Sequence, residues 1–154
     1  MKYFYILFLI VVTTTSASAQ LNRADRYYAV GDFHNAAVNY AEAFNKDNNK
    51  ATLTKLINSH YKNNDYAATR SYLKLLFGGR FVDSDKTVDN QFNYVMYEAL
   101  NFKGDSEEAI NYLATYYANE GQEFDKEGAV KLLKDLKEDS KTFEIKKSNL
   151  SSDS

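Results

Sequence analysis

No cysteine, proline or tryptophan occurs in the 154 residues. Without cysteine there is no disulfide framework, no thiolate nucleophile or metal ligand, and no residue to carry an N-terminal lipid. Without proline, every boundary between helices has to be made by some other residue. Glycine is scarce too, at six positions, and its one adjacent pair, Gly78-Gly79, has no Gly-Lys-Ser/Thr after it and no strand pattern before it. That pair reads as a helix stop, not a phosphate loop. Histidine occurs only at His34 and His60, and neither His-Glu-x-x-His nor Gly-x-Ser-x-Gly is present, so the residues point away from an enzyme. Nineteen basic residues against 21 acidic ones give a formal charge of −2, which supplies no electrostatic reason for a nucleic-acid partner.

Long apolar runs are missing as well. Phe4 to Val12 is well short of the ~20 residues that span a bilayer. With Lys2 before it and Ala17-Ser18-Ala19 after it, the run reads as a secretory signal in residues 1–19, cleaved to leave Gln20 as the mature N-terminus. The competing reading is a membrane anchor. Cleavage leaves no membrane span and places the chain outside the cytoplasm, in the periplasm.

What the sequence does have is a repeat. Gly31-Asp32-Phe33-His34-Asn35-Ala36-Ala37-Val38-Asn39-Tyr40 returns in weaker form from Asn64-Asp65-Tyr66-Ala67-Ala68 and from Gly104-Asp105-Ser106-Glu107-Glu108-Ala109. Glycine or asparagine takes the left-handed conformation that ends one helix, and the following aspartate accepts from the free N–H groups of the next. The expectation is antiparallel helix pairs. Glu108, three residues after Asp105, suggests a capping box in the third copy. Ala36, Tyr40 and Ala43 share one face of the second helix, where small residues admit a close neighbour.

Apolar periodicity predicts helices over 21–30, from Gly31-Asp32 to about 46, over 51–62 with Asn49 as cap, up to 77, over 88–103, 106–118 and 126–137. Expected core positions are Leu53, Leu56, Ile57, Tyr61, Tyr66, Tyr72, Leu73, Leu75, Leu76, Phe77, Phe92, Val95, Met96, Ala99, Leu100, Ala109, Ile110, Leu113 and Tyr117. On the last helix Ala129, Val130, Leu132, Leu133 and Leu136 form the apolar side, and that helix is expected to cap the open end of the stack. Residues 20–138 thus form the folded domain. From 139 to 154 the rhythm stops; Phe143 and Ile145 alternate with polar residues as in a short strand, and the rest reads as a tail or the start of a further domain.

The helix pairs resemble tetratricopeptide repeats. Ala24 and Tyr27 stand at the small and aromatic positions of the first helix, and Ala36, Tyr40 and Ala43 at those of the second. Thr69, Leu76 and Tyr116 replace small residues in the later copies, and Asn48 stands where the closing proline belongs. The resemblance implies an all-α, tetratricopeptide-like solenoid of about three helix pairs plus a C-terminal capping helix. Arg26-Tyr27-Tyr28, the turn signatures and the tail Phe143-Glu144-Ile145 through Asn149-Leu150-Ser151 also resemble the N-terminal segment of Bacteroidota OmpA-like envelope proteins. In those, a signal peptide and repeats precede a β-propeller and a peptidoglycan-binding domain, and some members act with type IX secretion. The implication is an outer-membrane-associated module that reaches peptidoglycan only through a downstream domain not present here.

Stacked helix pairs line a concave surface with the first helix of each pair. The residues expected there are Asp25, Tyr28, Asn58, Tyr61, Lys62, Tyr94, Glu98, Asn101 and Phe102, a set of rings and amides suited to a protein or peptide partner. The alternative for Tyr61, Tyr94 and Phe102 is that they are core. No cofactor is expected. Asp83, Asp85 and Asp89 lack the glycine and distal glutamate of an EF-hand, so no metal is expected either. Asn149-Leu150-Ser151 fits a glycosylation acceptor only formally. The competing functional reading is a standalone structural or ligand-binding helical domain without a peptide groove.

Overall fold

Three turns of one design join the helices. In a computed structural model, which describes residues 18–78 and 89–151, Gly31, Asn64 and Gly104 take φ of +79°, +58° and +92°. Each is followed by an aspartate whose N–H reaches back five residues, Asp32 to the Tyr27 carbonyl at 3.0 Å, Asp65 to His60 at 2.9 Å and Asp105 to Leu100 at 3.0 Å. This six-to-one bond satisfies a carbonyl that the ending helix would otherwise leave without a partner. Gly121 and Gln122 repeat the arrangement once more, with φ of +68° and a 2.9 Å bond to the Tyr117 carbonyl.

The described residues form seven α-helices and no strand. They are α1 (18–29), α2 (Phe33–Asp47), α3 (Lys50–Lys62), α4 (Tyr66–Phe77), α5 (Gln91–Lys103), α6 (Ser106–Asn119) and α7 (Lys126–Ser151). The fold is all-α, and within each unit described below helices consecutive in the chain pack on one another, consistent with a helical solenoid. Contacts divide it into two units, one carrying α1–α4 and the other α5–α7.

In the first unit α2 packs on α3, and α3 on α4. Ala24, Ala36 and Ala43 are fully buried, as are Leu53, Leu56, Ile57 and Leu73, with Tyr40, Phe44 and Leu76 nearly so. The absence of side-chain bulk at Ala36 and Ala43 is what lets the helices approach, as the spacing predicts. Two hydroxyl residues, Ser59 and Thr69, are also sealed in. Each satisfies its hydroxyl within its own helix, Ser59 donating to the Lys55 carbonyl at 2.9 Å and Thr69 to that of Asp65 at 2.7 Å. Between α2 and α3, Asn48 supplies the left-handed residue, φ +47°, and Asn49 accepts from the Ala51 N–H at 2.7 Å. An asparagine pair thus does the work expected of the missing proline.

In the second unit α5 packs on α6, and α6 on α7. Phe92, Val95, Met96, Ala99, Leu100, Ala109 and Ile110 form its core. Asp89 accepts from the Gln91 N–H at 3.1 Å and so caps α5. Asn90 ties the start of that helix to the end of α6, donating to the Tyr116 carbonyl and to Glu120 at 3.0 and 2.7 Å. Leu113 and Tyr117 here, like Tyr61, Tyr66, Tyr72 and Phe77 of the first unit, are half-buried, not core, and Leu75 is exposed.

Four expectations are corrected here. Asp105 does not cap α6 through its side chain, and no capping box forms with Glu108; Lys103 draws the carboxylate to itself at 2.6 Å, because an ammonium outcompetes a backbone amide for it. Helix α1 is already helical at residue 18, the first described residue and three before the expected start, with Gln20 bonded to Glu42 and Lys46 of α2. Leu132 and Leu136 of α7 are 60% and 56% exposed, so only part of the expected apolar side is covered. The strand expected at Phe143 and Ile145 is absent, since α7 runs on to Ser151. Between Ala129 and Ser151 there is neither glycine nor proline, and two alternating residues are too few to end a helix that the Lys-, Leu- and Glu-rich stretch 131–138 has already propagated.

The signal segment lies outside the described residues except for Ser18 and Ala19, as does the stretch 79–88 that lengthens the second repeat interval. Among the described residues no helix is long and apolar enough to cross a membrane.

The left-handed turn residues give a direct test. Asn64→Ala should destabilise the chain by about 1–2 kcal/mol, because alanine pays the full steric cost of positive φ. Asn64→Gly should be neutral or slightly stabilising. Urea unfolding of both variants measures the difference.

Candidate functional site

On α1, Asp25 and Tyr28 are three residues apart and share a face; on α3, Lys55, Asn58 and Lys62 do the same at intervals of three and four. The two stripes meet in the first unit. Lys55 bonds to the Asp25 carboxylate at 2.7 Å, and Lys62 places its ammonium 5.9 Å from the centre of the Tyr28 ring. Tyr40 of α2 completes the contact from beneath, its hydroxyl donating to the same Asp25 oxygen. Its ring lies edge-on to Tyr28 at 6.5 Å. Asn58, half-buried, sits along α3 between the two lysines. Tyr61 is half-buried and turns toward Tyr66 at 6.2 Å, on the α3–α4 side of the unit.

Burial pushes the Asp25 carboxyl up, but the hydrogen bonds from Lys55 and Tyr40 and the Lys55 charge outweigh it and hold the group below its ordinary value. The Tyr40 phenol moves the other way. Burial first, and then the Asp25 carboxylate that it donates to, raise it well above the usual tyrosine range.

In the second unit Tyr94, Glu98, Asn101 and Phe102 occupy one stripe of α5, at intervals of four, three and one. Phe102 is 76% exposed and Tyr94 37%, so neither is core. Glu98 sits against Tyr94, and its charge, with burial second, raises the phenol. Tyr94 also opens a run of neighbouring rings, Tyr97 and Tyr116 at 5.7 and 5.5 Å, then Tyr117 and Phe124. The structure therefore gathers Asp25, Tyr28, Asn58 and Lys62 in one unit and the four α5 residues in the other.

Three participants were missed from the sequence. Lys55 lies seven residues before Lys62 and three before Asn58, so heptad spacing alone could have placed it on the same stripe. Tyr40 shares its face with Ala36 and Ala43, and its ring is buried there, but helical spacing carries no signal of where its hydroxyl bonds. Phe33, at the start of α2, packs edge-on to Tyr28 with centroids 5.3 Å apart; nothing in the periodicity of α2 signals that contact.

His34 is exposed, whereas His60 is half-buried, stacked on Tyr72 at 5.4 Å and bonded through Nδ1 to Asp65 at 3.1 Å. Asp65 meanwhile caps α4 through the Ala68 N–H, so the pair braces a turn. Asp89 is a helix cap; Asp83 and Asp85 lie outside the described residues. No group of three potential metal ligands occurs among the described residues. Two open depressions, of about 450 and 430 Å³, lie along Lys126–Lys134 of α7 and along Arg23, Arg26, Tyr27 and Val30 of α1, and neither includes a candidate residue. No family model matches the chain, and no curated protein does.

The Asp25–Tyr40 bond sets limits at both ends of the pH scale. A carboxyl with a lowered folded pKa contributes stability that is present above its unfolded value of about 4 and lost as pH falls through the folded value. A phenol with a raised folded pKa contributes stability that is present below about 10 and lost as pH rises further. Tyr40→Phe is expected to cost about 1 kcal/mol at neutral pH and to weaken the alkaline loss. Urea midpoints from pH 3 to 11 for both proteins check this.

Proposed function

We propose that the chain is a non-catalytic protein–protein interaction module of the periplasm. In the specific form, it is the N-terminal part of an OmpA-like, outer-membrane-associated protein, one that reaches peptidoglycan through a further domain and acts beside a secretion complex such as type IX. The observation that carries the interaction reading is the α1–α3 face, where Tyr28, Asn58 and Lys62 share a surface with the Asp25–Lys55 pair. Rings supply contact area at little cost in side-chain entropy, and an amide pairs with an extended backbone. The tetratricopeptide likeness of the turn and small-residue pattern supports the same reading, as does the signal-like segment for the location. The second reading, a structural helical domain with no partner on this face, is favoured by Asp25 already being bonded to Lys55 and Tyr40.

The test uses the tagged full chain in its native envelope. Tyr28→Leu and Asn58→Lys together should abolish crosslinking to the partner with unchanged far-UV circular dichroism. Retained crosslinks would overturn the proposed face. N-terminal sequencing of the exported product should begin at Gln20, and an uncleaved Met1 would remove the basis for a periplasmic location.

A further inference from the structure

Two lysines of the first unit lie against rings: Lys55 over Tyr40 at 5.7 Å, and Lys62 over two rings at once. Lys62, the last residue of α3, places Nζ 5.9 Å from the centre of Tyr28 and 5.5 Å from that of Phe33. The two rings stand nearly perpendicular, 70° apart with centroids 5.3 Å from each other. They form a corner built from the end of α1 and the start of α2, braced behind by Tyr40 and fixed by the Gly31-Asp32 turn between them. Within about 6 Å of an aromatic face a cation is attracted by the ring quadrupole, and two rings at an angle add their attractions.

Lys62 itself is weakly committed. Its side chain is exposed, and among the described residues it makes no ion pair, Asp25 being taken by Lys55 and Asp65 hydrogen-bonded to His60. An alkylammonium is also a poor occupant, because it is a compact, strongly hydrated charge that must shed water to approach a ring. Guanidinium is more weakly hydrated and stacks flat, and quaternary ammonium groups are the cations that aromatic cages hold.

We propose that the Tyr28–Phe33 corner is a binding site for a weakly hydrated organic cation, a guanidinium or quaternary ammonium group, which Lys62 occupies until such a group displaces it. Tyr28 and Lys62 belong to the face assigned above to a protein partner, and in resting on that reading the inference names the partner's chemistry: a basic side chain seated in the corner. The same chemistry could reach the corner as a free quaternary ammonium compound.

NMR titration of the full chain with arginine amide, with tetramethylammonium and with neutral tert-butanol, at constant ionic strength, tests the site without any partner. Saturable shifts of the Tyr28 and Phe33 ring signals are expected for the two cations and none for tert-butanol. Preference for arginine amide identifies a side-chain ligand, and preference for tetramethylammonium a free one. Lys62→Met, which empties the corner and keeps the stem, should tighten cation binding about 3- to 30-fold, the range expected from removing a competing cation–π contact. Lys62→Arg should weaken it, and Tyr28→Leu should abolish it. No saturable shift with either cation, equal response to tert-butanol, or affinity unchanged in Lys62→Met would overturn the site. Absence of cation binding leaves the crosslinking test of the partner face independent, and loss of crosslinks leaves the titration independent.

Discussion

The constraint that the rest of the structure depends on is the backbone reversal at Gly31, Asn64 and Gly104. Each reversal spends a positive φ to turn the chain, and the aspartate N–H that follows recovers a carbonyl of the helix just ended. Because the bond reaches back five residues, it fixes where the first helix stops and the angle at which the second leaves. Everything on the helix faces is then a consequence of phase. With Asp32 at the start of α2, Ala36, Tyr40 and Ala43 fall inward together; with Asp65 at the start of α4, Thr69, Leu73 and Leu76 do so.

These reversals also bring the polar contacts of the first unit into register. Asp25 meets Lys55 because α1 and α3 run beside one another, and Tyr40 reaches Asp25 because α2 lies under both. The hydroxyl is one of the few polar atoms near the core that looks outward to another helix. Apolar burial holds the helices together, at roughly 1.5–3 kcal/mol for each large side chain, and the half-exposed Asp25–Lys55 pair adds little beside it.

Much of this was legible from residue types at fixed spacing. A Gly/Asn-Asp pair ahead of an apolar rhythm carries its own mechanism, and so the helix order, the turns and most core residues followed from it. Legibility failed wherever two signals competed locally. Asp105 had an N-terminus to cap, but Lys103 stands two residues away and carries a full charge. Phe143 and Ile145 suggested a strand, but the stretch before them favours helix and no glycine or proline interrupts α7 after it. For the candidate surface, the sequence marked the exposed stripes of α1, α3 and α5, and Tyr94 and Phe102 do stand out of the core. It was silent on contacts between stripes, such as Tyr28 with Phe33 and Lys62, since those depend on how helices far apart in the chain are brought side by side.

The sealed hydroxyls of Ser59 and Thr69 have a consequence for how α3 and α4 recognise one another. Both residues bond to carbonyls of their own helices, so neither presents a polar demand that the opposite helix must answer. A buried amide or charge would act as a key, penalising every alignment but one. Here the buried part of the seam has no key in these two residues, and the fit of Leu53, Leu56, Ile57, Leu73 and Leu76 has to set the alignment by shape. Such a seam tolerates exchange among aliphatic side chains of matched volume, and its alignment is as particular as the shapes that fill it.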